Sequence, residues 1–234
     1  MKKIRARVVW AVITTVVALG FSAVVMTVDV RAIGLTNTEV GLSHINEKVF
    51  NIFGTNLAIY EYTKYLGYVA LAIAAAWAVA GLVQWIKRKN ILAVDGKILA
   101  LGVLYTITIG LYFAFTKIMI NGRPILLPEE TAVEPSFPSS HTMLLIVVCI
   151  GAMMILGDYV KNKGLLIAVD ILLLLMAISM VVGRLICGAH WFTDIVAGLL
   201  IGNMLLAWYD VAINMIANQN SEYAVSTGRY HPKH

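Results

Sequence analysis

Charged residues are scarce in this sequence. Only 13% of its 234 residues are Asp, Glu, Lys or Arg, whereas 60% are hydrophobic. A soluble domain carries roughly 25% charged residues. The deficit argues against a soluble protein and indicates that much of the surface lies in a lipid bilayer. The sequence therefore predicts an integral membrane protein, and its length suits a single membrane domain, residues 1–234.

Cysteine is also rare, and no basic stripe is present. The two cysteines, Cys149 and Cys187, are too few for a disulfide framework. We expect Cys149, which lies in an apolar run, to be a small buried thiol. The net charge of +5 does not indicate nucleic-acid binding, because the basic residues flank apolar segments instead of forming a continuous patch. No internal repeat or low-complexity segment is visible.

The N-terminus resembles a signal peptide, because the basic stretch "MKKIRAR" precedes the apolar run "VVWAVITTVVALGFSAVVMTV". The apolar run, however, is about 21 residues long, whereas the hydrophobic region of a signal peptide has about 7–15. A run of this length can cross a bilayer as a helix. We therefore interpret it as a retained first membrane span.

Six apolar runs are long enough to cross a membrane, and charged or turn-forming residues separate them. The predicted spans are 8–28, 57–84, 97–120, 141–157, 164–182 and 192–215. Within the mixed segment 29–56, the stretch "HINEKVFNIF" has the pattern of a short amphipathic helix at the membrane interface. We therefore predict an all-α fold, an integral membrane bundle of six transmembrane helices with a cytoplasmic tail at 216–234.

The lysines and arginines are distributed unevenly between the two sides of this bundle. If the N-terminus is cytoplasmic, twelve of the eighteen lie on the cytoplasmic side, including Arg229 and Lys233 in the tail. The positive-inside rule therefore predicts a multi-pass protein of the cell membrane with both termini in the cytoplasm. Three of the outer basic residues, Lys117, Arg123 and Arg184, lie at or beside span ends. A charge at such a position needs a partner.

These three cations belong to three segments that the topology brings together at the outer face. The segments read "KIMINGRP" at 117–124, "PSSH" at 138–141 and "GRLICGAHWFTD" at 183–194. Together they supply three cations, two serines, two histidines and one aspartate. Three cations around a pocket suit a phosphate group, because arginine offers paired planar donors and lysine a point charge.

The "PSSH" segment opens the fourth span. The first N–H groups of a helix lack partners within the helix and lie at the positive end of its dipole. The N–H groups of Ser139, Ser140 and His141 are therefore candidates to hold phosphate oxygens. Taken alone, the serines are also explained as ordinary helix caps.

His190 and Asp194 are four residues apart, a spacing that puts two side chains on one face of a helix. Asp194 would then accept a hydrogen bond from Nδ1 of His190 and leave Nε2 as a nucleophile or base. A His–Asp pair at this spacing is also common as a structural hydrogen bond. The functional interpretation is favoured because the same mouth holds a second histidine, three cations and a helix N-terminus.

At these residues the sequence resembles the type 2 phosphatidic-acid phosphatase superfamily, also called the lipid phosphate phosphatases. The family's motifs are Lys-x6-Arg-Pro, Pro-Ser-Gly-His and Ser-Arg-x5-His-x3-Asp, and the three segments follow them in order and in position at span ends. The third motif keeps its spacing from Arg184 through His190 to Asp194. The six-span layout matches as well, so the resemblance covers about residues 55–215.

Three positions depart from the family pattern. Lys117 lies six positions before Arg123 instead of seven, and Thr116 occupies the expected place. Ser140 replaces the glycine of the second motif, and Gly183 replaces the serine that leads the third. A long lysine side chain, or a helix that unwinds before "NG", would recover the shifted position. We expect these changes to affect catalytic efficiency more than the fold.

The resemblance implies a role for each motif residue. His190 would attack phosphorus and form a phosphohistidine, Asp194 would orient and stabilise His190, and His141 would protonate the leaving alkoxide. The phosphoryl oxygens would be held by Lys117, Arg123, Ser139, Ser140 and Arg184. Water would then hydrolyse the phosphohistidine. No metal and no cofactor are needed, because the cations are part of the protein.

The resemblance also implies a membrane enzyme, a hydrolase whose partner is a lipid phosphate or diphosphate in the bilayer. The candidate substrates are phosphatidic acid, phosphatidylglycerol phosphate and polyprenyl diphosphate, met at the outer face. Glu129, Glu130 and Glu134, before the second motif, form either a solvated acidic loop or contacts to a head group. Asp170, in the fifth span, is expected at the interface or hydrogen-bonded to a neighbouring helix.

Two other functions stay open from the sequence. The same site would serve a phosphotransferase if His190 passed the phosphoryl group to an acceptor other than water. The departures at Lys117, Ser140 and Gly183 also fit a non-catalytic member that binds or moves a phospholipid. The retained histidines, arginines and Asp194 favour an enzyme, because a protein that only binds needs no nucleophile pair. The sequence carries no signal for the oligomeric state.

Overall fold

Residues 2–127 and 130–226 are described by the computed structural model, in which they form seven α-helices and one β-hairpin. The elements are α1 (Lys2–Thr27), β1 (Arg31–Ile33), β2 (Thr38–Val40), α2 (Ser43–Phe53), α3 (Leu57–Arg88), α4 (Gly96–Phe115), α5 (Ser140–Tyr159), α6 (Lys163–Ile186) and α7 (Phe192–Ser226). A short 3-10 turn, Ile91–Ala93, joins α3 to α4. Every helix except α2 is long and apolar enough to cross a membrane. The predicted all-α membrane bundle of six transmembrane helices is confirmed.

The centre of the bundle is formed by α5 and α7. In each of them 56% of the most apolar window is buried within the protein, against 28% or less in the other four spans. α5 packs against α3, α4, α6 and α7, with Met143, Val147 and Cys149 on its buried face. Cys149 and Cys187 are both free and buried, which confirms the expectation for Cys149. The first residues of α5 and α7 therefore belong to the two helices that the rest of the bundle surrounds.

Three of the six spanning helices begin at a capping side chain. Asn56, Asp95 and Asn162 accept hydrogen bonds from first-turn N–H groups of α3, α4 and α6, the usual way in which a helix start is satisfied. α5 begins differently, because the side chain of Ser139 makes no such bond. The first turn of α5 is therefore not closed by a side-chain cap.

The prediction for the third span, 97–120, is wrong at its end, because α4 stops at Phe115. There the helix tightens: the N–H of Lys117 donates to the carbonyl of Ala114 at 3.1 Å, a 3-10-type bond. The chain then leaves the helix for the loop that leads to α5. α7, in contrast, continues as a helix through Ser226, past the predicted end of its span at 215.

A hairpin lies between α1 and α2, at the same end of the bundle as the predicted site. β1 and β2 pair antiparallel, with Arg31 opposite Val40, and no pattern in the sequence predicted them. The turn between them brings Gly34 against Trp191, where a Cβ would lie 2.8 Å from the ring. Gly34 also has φ +76°, so only glycine suits this position. The hairpin therefore packs against the residue next to His190.

α2 covers the stretch that was predicted to be an amphipathic helix. Its buried residues are Ser43 and Asn46, and Asn46 is bonded to the hydroxyl and to the N–H of Thr193 at 2.8 and 3.0 Å. Its other face exposes Ile45 and Ile52, as in a helix that lies in the membrane interface. α2 therefore holds the start of α7 in place.

Four residues named from the sequence lie outside the described residues or differ from their expected surroundings. Glu129, Arg229 and Lys233 lie outside the described residues. Asp170 lies half-buried on α6, and its Oδ1 makes no hydrogen bond within the described part of the chain. That oxygen therefore does not form the expected bond to a neighbouring helix.

Candidate active site

The three sequence motifs meet around one cavity of about 340 Å³. Its lining includes five of the eight predicted site residues, Lys117, Arg123, Ser140, His141 and His190. The other three, Ser139, Arg184 and Asp194, are each at most 1% exposed and belong to the same motifs. The loop after α4, the start of α5 and the loop before α7 therefore converge as the topology predicts.

The imidazole of His190 is held in one tautomer. Its Nδ1 lies 3.0 Å from the backbone carbonyl oxygen of Ser136. Because a carbonyl only accepts, Nδ1 donates and Nε2 carries the lone pair. Nε2 is buried and has no hydrogen-bond partner among the described residues. Burial, and then the charges of Arg184 and Arg123, hold the pKa of His190 well below its usual range, which favours a neutral ring with the lone pair of Nε2 available.

Asp194 does not make the predicted hydrogen bond to His190. Its Oδ2 lies 3.9 Å from Nδ1 of His190, which is too far. His190 precedes α7, so the helical spacing argument does not apply to it. The carboxylate accepts instead from Nδ2 of Asn121 at 2.7 Å and from the N–H of Trp191 at 2.9 Å. Asp194 is thus near enough to stabilise positive charge on His190 without being its hydrogen-bond acceptor.

Ser139 joins α5 to α7. Its N–H donates to the backbone carbonyl of Asp194 at 2.9 Å, and its hydroxyl lies 2.9 Å from that of Thr142. The prediction that the N–H of Ser139 is free for a phosphate is therefore wrong. The N–H groups of Ser140 and His141 lie in the first turn of α5, where a helix offers them no acceptor, and they remain candidate donors to an anion.

Arg123 is held by carboxylates of the loop before α5. Its Nε lies 3.3 Å from Oε1 of Glu130, and its Nη2 lies 3.5 Å from Oε2 of Glu134. Its Nη1 is buried without a hydrogen-bond partner in the described part of the chain. The side chain of Glu130 is only 11% exposed, and burial raises its pKa against the opposing charge of Arg123. Glu130 is therefore not part of a solvated acidic loop, whereas Glu134, 57% exposed, lies at the rim of the cavity.

Arg184 is buried against an aromatic ring instead of a carboxylate. It is 1% exposed, and its Cζ lies 5.3 Å from the centroid of Tyr60 on α3, within cation–π range. Its Nε and Nη1 have no hydrogen-bond partner within residues 2–127 and 130–226. Arg184 thus carries buried donors that the described chain does not use.

Both Thr116 and Lys117 line the cavity, which bears on the shifted first motif. The hydroxyl of Thr116 donates to the carbonyl of Phe113 at 2.8 Å, so it is used within the end of α4. Lys117 lies past the end of the helix and is exposed. Because helical register no longer fixes its direction, its side chain can reach the cavity despite the one-residue shift.

Gly183, where the family has serine, packs against α3. A Cβ built at Gly183 would lie 2.5 Å from Cγ2 of Thr63, so a larger residue clashes while Thr63 is present. Gly67 lies on the same helix, and a Cβ there would lie 3.1 Å from Cδ2 of His141. α3 therefore approaches both motifs closely. Gly67 of α3 makes room for His141 of the second motif, and Gly183 of the third motif makes room for Thr63 of α3.

Sequence reasoning missed three residues of this site. Asn121, which binds Asp194, stands two positions before Arg123 in "NGRP", and that position was the one available signal. The carbonyl of Ser136 has no signal in the sequence, because every residue has a backbone carbonyl. Tyr60 is one of ten tyrosines, and nothing in its neighbourhood marks it as the partner of Arg184.

An apolar groove between α3 and α4 continues from the cavity. A second cavity of about 250 Å³ shares His141 and Tyr112 with the first. A third, of about 760 Å³, shares Leu71 and Ile109 with the second and is lined by apolar side chains as far as Trp85. The site is therefore continuous with apolar surface that runs along the bundle.

The chemistry available at the cavity is that of a nucleophile among cations. It combines a neutral imidazole, two guanidinium groups, a lysine and a second histidine. The described residues contain no group of three or more His, Cys, Asp or Glu side chains that could hold a metal ion. The arrangement suits attack on an anionic centre whose charge the arginines hold.

Comparisons with known proteins agree with this fold. The family model of the PAP2 superfamily matches residues 97–216. The chain is similar to the crystal structure of the first transmembrane PAP2 type phosphatidylglycerolphosphate phosphatase, from Bacillus subtilis, with a TM-score of 0.61 and 16% identity over 86% of this chain and 94% of that one. It is also similar to LpxE of Aquifex aeolicus, with a TM-score of 0.43 and 19% identity over 78% and 99%. No curated protein matches it.

Proposed function

Because the chain belongs to the PAP2 superfamily, we propose that it is a membrane phosphatase that removes phosphate from a lipid phosphate or diphosphate. This is the family that the three sequence motifs predicted, so the prediction of the family is confirmed. Proteins of this family are phosphatases that act on lipid phosphates. The candidate substrates are phosphatidic acid, phosphatidylglycerol phosphate and polyprenyl diphosphate.

One observation carries the proposal: unused buried donors of two arginines accompany an unbound imidazole nitrogen. They are Nη1 of Arg123, Nε and Nη1 of Arg184, and Nε2 of His190. An unpaired buried polar group destabilises a fold by about 1–3 kcal/mol, and more when it is charged. A phosphoryl group would satisfy the guanidinium donors with its anionic oxygens and offer phosphorus to the imidazole.

In the first step, Nε2 of His190 attacks phosphorus. The bond from phosphorus to the lipid oxygen breaks as the N–P bond forms, and His141 gives a proton to the departing oxygen. Asp194, 3.9 Å from Nδ1, stabilises the positive charge that His190 acquires. In the second step water attacks the phosphohistidine, His141 takes a proton from it, and inorganic phosphate leaves.

The phosphoryl oxygens are held throughout by the cations. Arg123 and Arg184 contribute the buried donors, Lys117 adds charge from the rim, and the N–H groups at the start of α5 with the hydroxyl of Ser140 complete the set. Positioning and charge stabilisation supply most of the catalysis of phosphoryl transfer. Because the protein itself supplies these cations, we expect the reaction to need no metal ion.

The groove between α3 and α4 supports a lipid as the substrate. It is mostly apolar, continuous with the cavity through His141 and Tyr112, and lies along two helices that are long and apolar enough to cross a membrane. A lipid tail in this groove would put its phosphate next to His190. A water-soluble phosphate ester gains nothing from such a groove, so we expect a short-chain substrate to have a higher KM.

The orientation we propose puts both termini in the cytoplasm and the cavity at the outer face. The distribution of lysine and arginine supports it. Leu35, 81% exposed, lies in the hairpin turn at the end with the cavity, and Leu92, 85% exposed, lies at the other end between α3 and α4. In right-side-out vesicles, an impermeant maleimide should label Leu35→Cys and spare Leu92→Cys. The reverse pattern would invert the topology.

The catalytic test is phosphate release from a panel of the three candidate lipids by the purified protein. We expect turnover of at least one lipid, its loss in His190→Ala, and strong impairment in His141→Ala. His44→Ala is the matched control, because His44 is exposed and pairs with Asp29 outside the cavity. Turnover that survives in His190→Ala would contradict the phosphohistidine mechanism.

Labelled lipid phosphate separates hydrolysis from the other functions. Label recovered as inorganic phosphate supports a phosphatase, and label recovered on a second lipid or sugar would identify a phosphotransferase. Binding without turnover across the panel would instead identify a phospholipid-binding member. Trapping of acid-labile label on the wild type, absent from His190→Ala, is the expected sign of the intermediate.

A further inference from the structure

Asn121 connects three parts of the chain at the base of the cavity. It is fully buried. Its Nδ2 donates to Oδ1 of Asp194 at 2.7 Å, and its Oδ1 accepts from the N–H of Gly41 at 3.1 Å. Its backbone carbonyl accepts from the N–H of Ser136 at 2.9 Å. The end of the hairpin, the loop before α5 and the start of α7 are therefore joined through one residue.

The first link leads to the carbonyl that orients His190. Nδ1 of His190 donates to the carbonyl of Ser136 at 3.0 Å, and the N–H of Ser136 is held by Asn121. The neighbouring Gly122 pairs antiparallel with Pro135, so this stretch of backbone forms a short ladder. The backbone of Asn121 thus forms one end of the ladder that presents this carbonyl to His190, and its side chain fixes that end through Gly41 and Asp194.

The second link leads to the carboxylate beside His190. Oδ1 of Asp194 accepts from Asn121, while Oδ2 accepts from the N–H of Trp191 and lies 3.9 Å from Nδ1 of His190. If the amide of Asn121 were lost, the carboxylate could rotate toward His190 and compete with the carbonyl for the Nδ1 proton. Asn121 therefore separates the two acceptors that face the same edge of the imidazole.

We propose that Asn121 is a positioning residue for the phosphatase reaction, an inference that rests on the proposed function. Asn121 keeps the carbonyl of Ser136 as the hydrogen-bond acceptor of His190 and keeps Asp194 as a nearby charge. His190 then presents Nε2 in the geometry of attack before substrate arrives, which is worth much in rate because small misplacements are costly. Asn121 itself does not touch the phosphate.

The direct test reads the hydrogen bond that Nδ1 of His190 donates and needs no turnover. Nuclear magnetic resonance of protein labelled with ¹⁵N-histidine in detergent micelles, with the His190 signal assigned by its loss in His190→Ala, should show protonated Nδ1 and unprotonated Nε2. In Asn121→Ala, Asp194 is free to rotate toward Nδ1, so the proton should stay on Nδ1 while its ¹H and ¹⁵N signals move downfield, because a carboxylate accepts a stronger hydrogen bond than a carbonyl does. An unchanged His190 signal in Asn121→Ala would overturn the inference.

Asn46→Ala is the matched control for a merely structural effect. Asn46 is also fully buried. Its side chain forms hydrogen bonds with the carbonyl of Gly41 and with the hydroxyl and N–H of Thr193, but not with Asp194 or Ser136. Both variants should lower Tm, whereas only Asn121→Ala should shift the Nδ1–H signal of His190. An equal shift in Asn46→Ala would assign the effect to packing and overturn the inference.

Kinetics give the second readout. In Asn121→Ala, kcat should fall about tenfold to a hundredfold, while KM and the inhibition constant of inorganic phosphate stay within about twofold, because the cations still hold the phosphate. In Asn121→Asp two carboxylates face each other at neutral pH, and a shared proton restores the donor at lower pH. The activity of this variant should therefore peak at lower pH than that of the wild type.

The two hypotheses fail in different ways. A rise in KM with unchanged kcat in Asn121→Ala would make Asn121 a phosphate-binding residue and overturn the inference while the phosphatase stands. A wild type that releases no phosphate from any lipid would overturn the proposed function, and the Nδ1–H signal of His190 in Asn121→Ala would still decide whether Asn121 positions it.

Discussion

The guanidinium of Arg184 lies over the ring of Tyr60, with Cζ 5.3 Å from the ring centroid. Arg184 makes no ion pair with a carboxylate in the part of the chain that the structure describes, whereas Arg123 lies close to Glu130 and Glu134. An aromatic face attracts a cation without neutralising it. Tyr60 therefore holds Arg184 in position and leaves its charge for an anion.

Replacement of Tyr60 by leucine should weaken phosphate binding. A desolvated cation–π contact is worth about 1–2 kcal/mol, which corresponds to about a fivefold to thirtyfold rise in KM and in the inhibition constant of inorganic phosphate. Tyr60→Phe keeps the ring and should stay near the wild type. If Tyr60→Phe were as weak as Tyr60→Leu, the hydroxyl and not the ring face would be the important group.

Gly183→Ser, which restores the residue of the family pattern, should destabilise this protein. Its Cβ would lie 2.5 Å from Cγ2 of Thr63, and overpacking of this kind costs about 1–3 kcal/mol. Thr63→Ser removes that methyl group but keeps the hydroxyl, which donates to the carbonyl of Tyr60 at 2.8 Å. We therefore expect a lower Tm in Gly183→Ser and a substantial recovery in the double variant.

The double-mutant cycle supplies the control for this prediction. Thr63→Ser alone should change Tm little, so the recovery must come from coupling between the two sites. Strictly additive effects would show that the clash with Thr63 is not the reason for glycine at position 183.

The bundle could be predicted because hydropathy reports directly on which segments the bilayer accepts. The same signal failed at the end of α4. Ile118 and Met119 continue the apolar composition beyond Phe115, yet they lie outside the helix and are exposed. Composition measures whether a segment tolerates lipid, whereas the bonds of the following loop decide where the helix ends. The hairpin was missed because each strand has only three residues, too few to show alternation.

The charged residues of the site could be predicted from the sequence. A histidine or arginine at a span end is informative because an unpaired charge there is costly. The hydrogen-bond partners were less predictable. Local spacing selected Asp194 for His190, but the carbonyl of Ser136, 54 residues away in sequence, takes the bond. Only the folded loop brings that carbonyl to the ring, so no pattern within the motif could indicate it.

Lys117→Met should raise KM modestly and leave kcat almost unchanged. Lys117 is exposed at the rim of the cavity, and an exposed ion pair contributes about 0.2–1 kcal/mol, or up to about fivefold in KM. The difference from wild type should shrink at high salt, where the Debye length falls to about 3 Å.

Thr116→Val is the matched control for Lys117. Thr116 occupies the family's lysine position, but its hydroxyl is used by the carbonyl of Phe113, so the substitution should leave KM unchanged. A complete loss of turnover in Lys117→Met would place the lysine in direct contact with the reacting phosphoryl group instead of at the rim.

The acid limb of kcat/KM should move to higher pH when Arg123 is replaced by glutamine. Burial and the charges of Arg184 and Arg123 lower the pKa of His190, because a nearby cation opposes protonation. Removal of Arg123 therefore raises that pKa, His190 is protonated at higher pH, and the nucleophile is lost earlier as the pH falls. The second ionisation of the substrate phosphate, near pH 6, affects the wild type and the variant equally, so it does not contribute to the difference between them.

Arg31→Gln is the matched control for Arg123→Gln. It removes the same charge from an exposed ion pair with Asp29 and should leave the acid limb where it is. If the acid limb of Arg123→Gln also stayed in place, the limb would not report the protonation of His190.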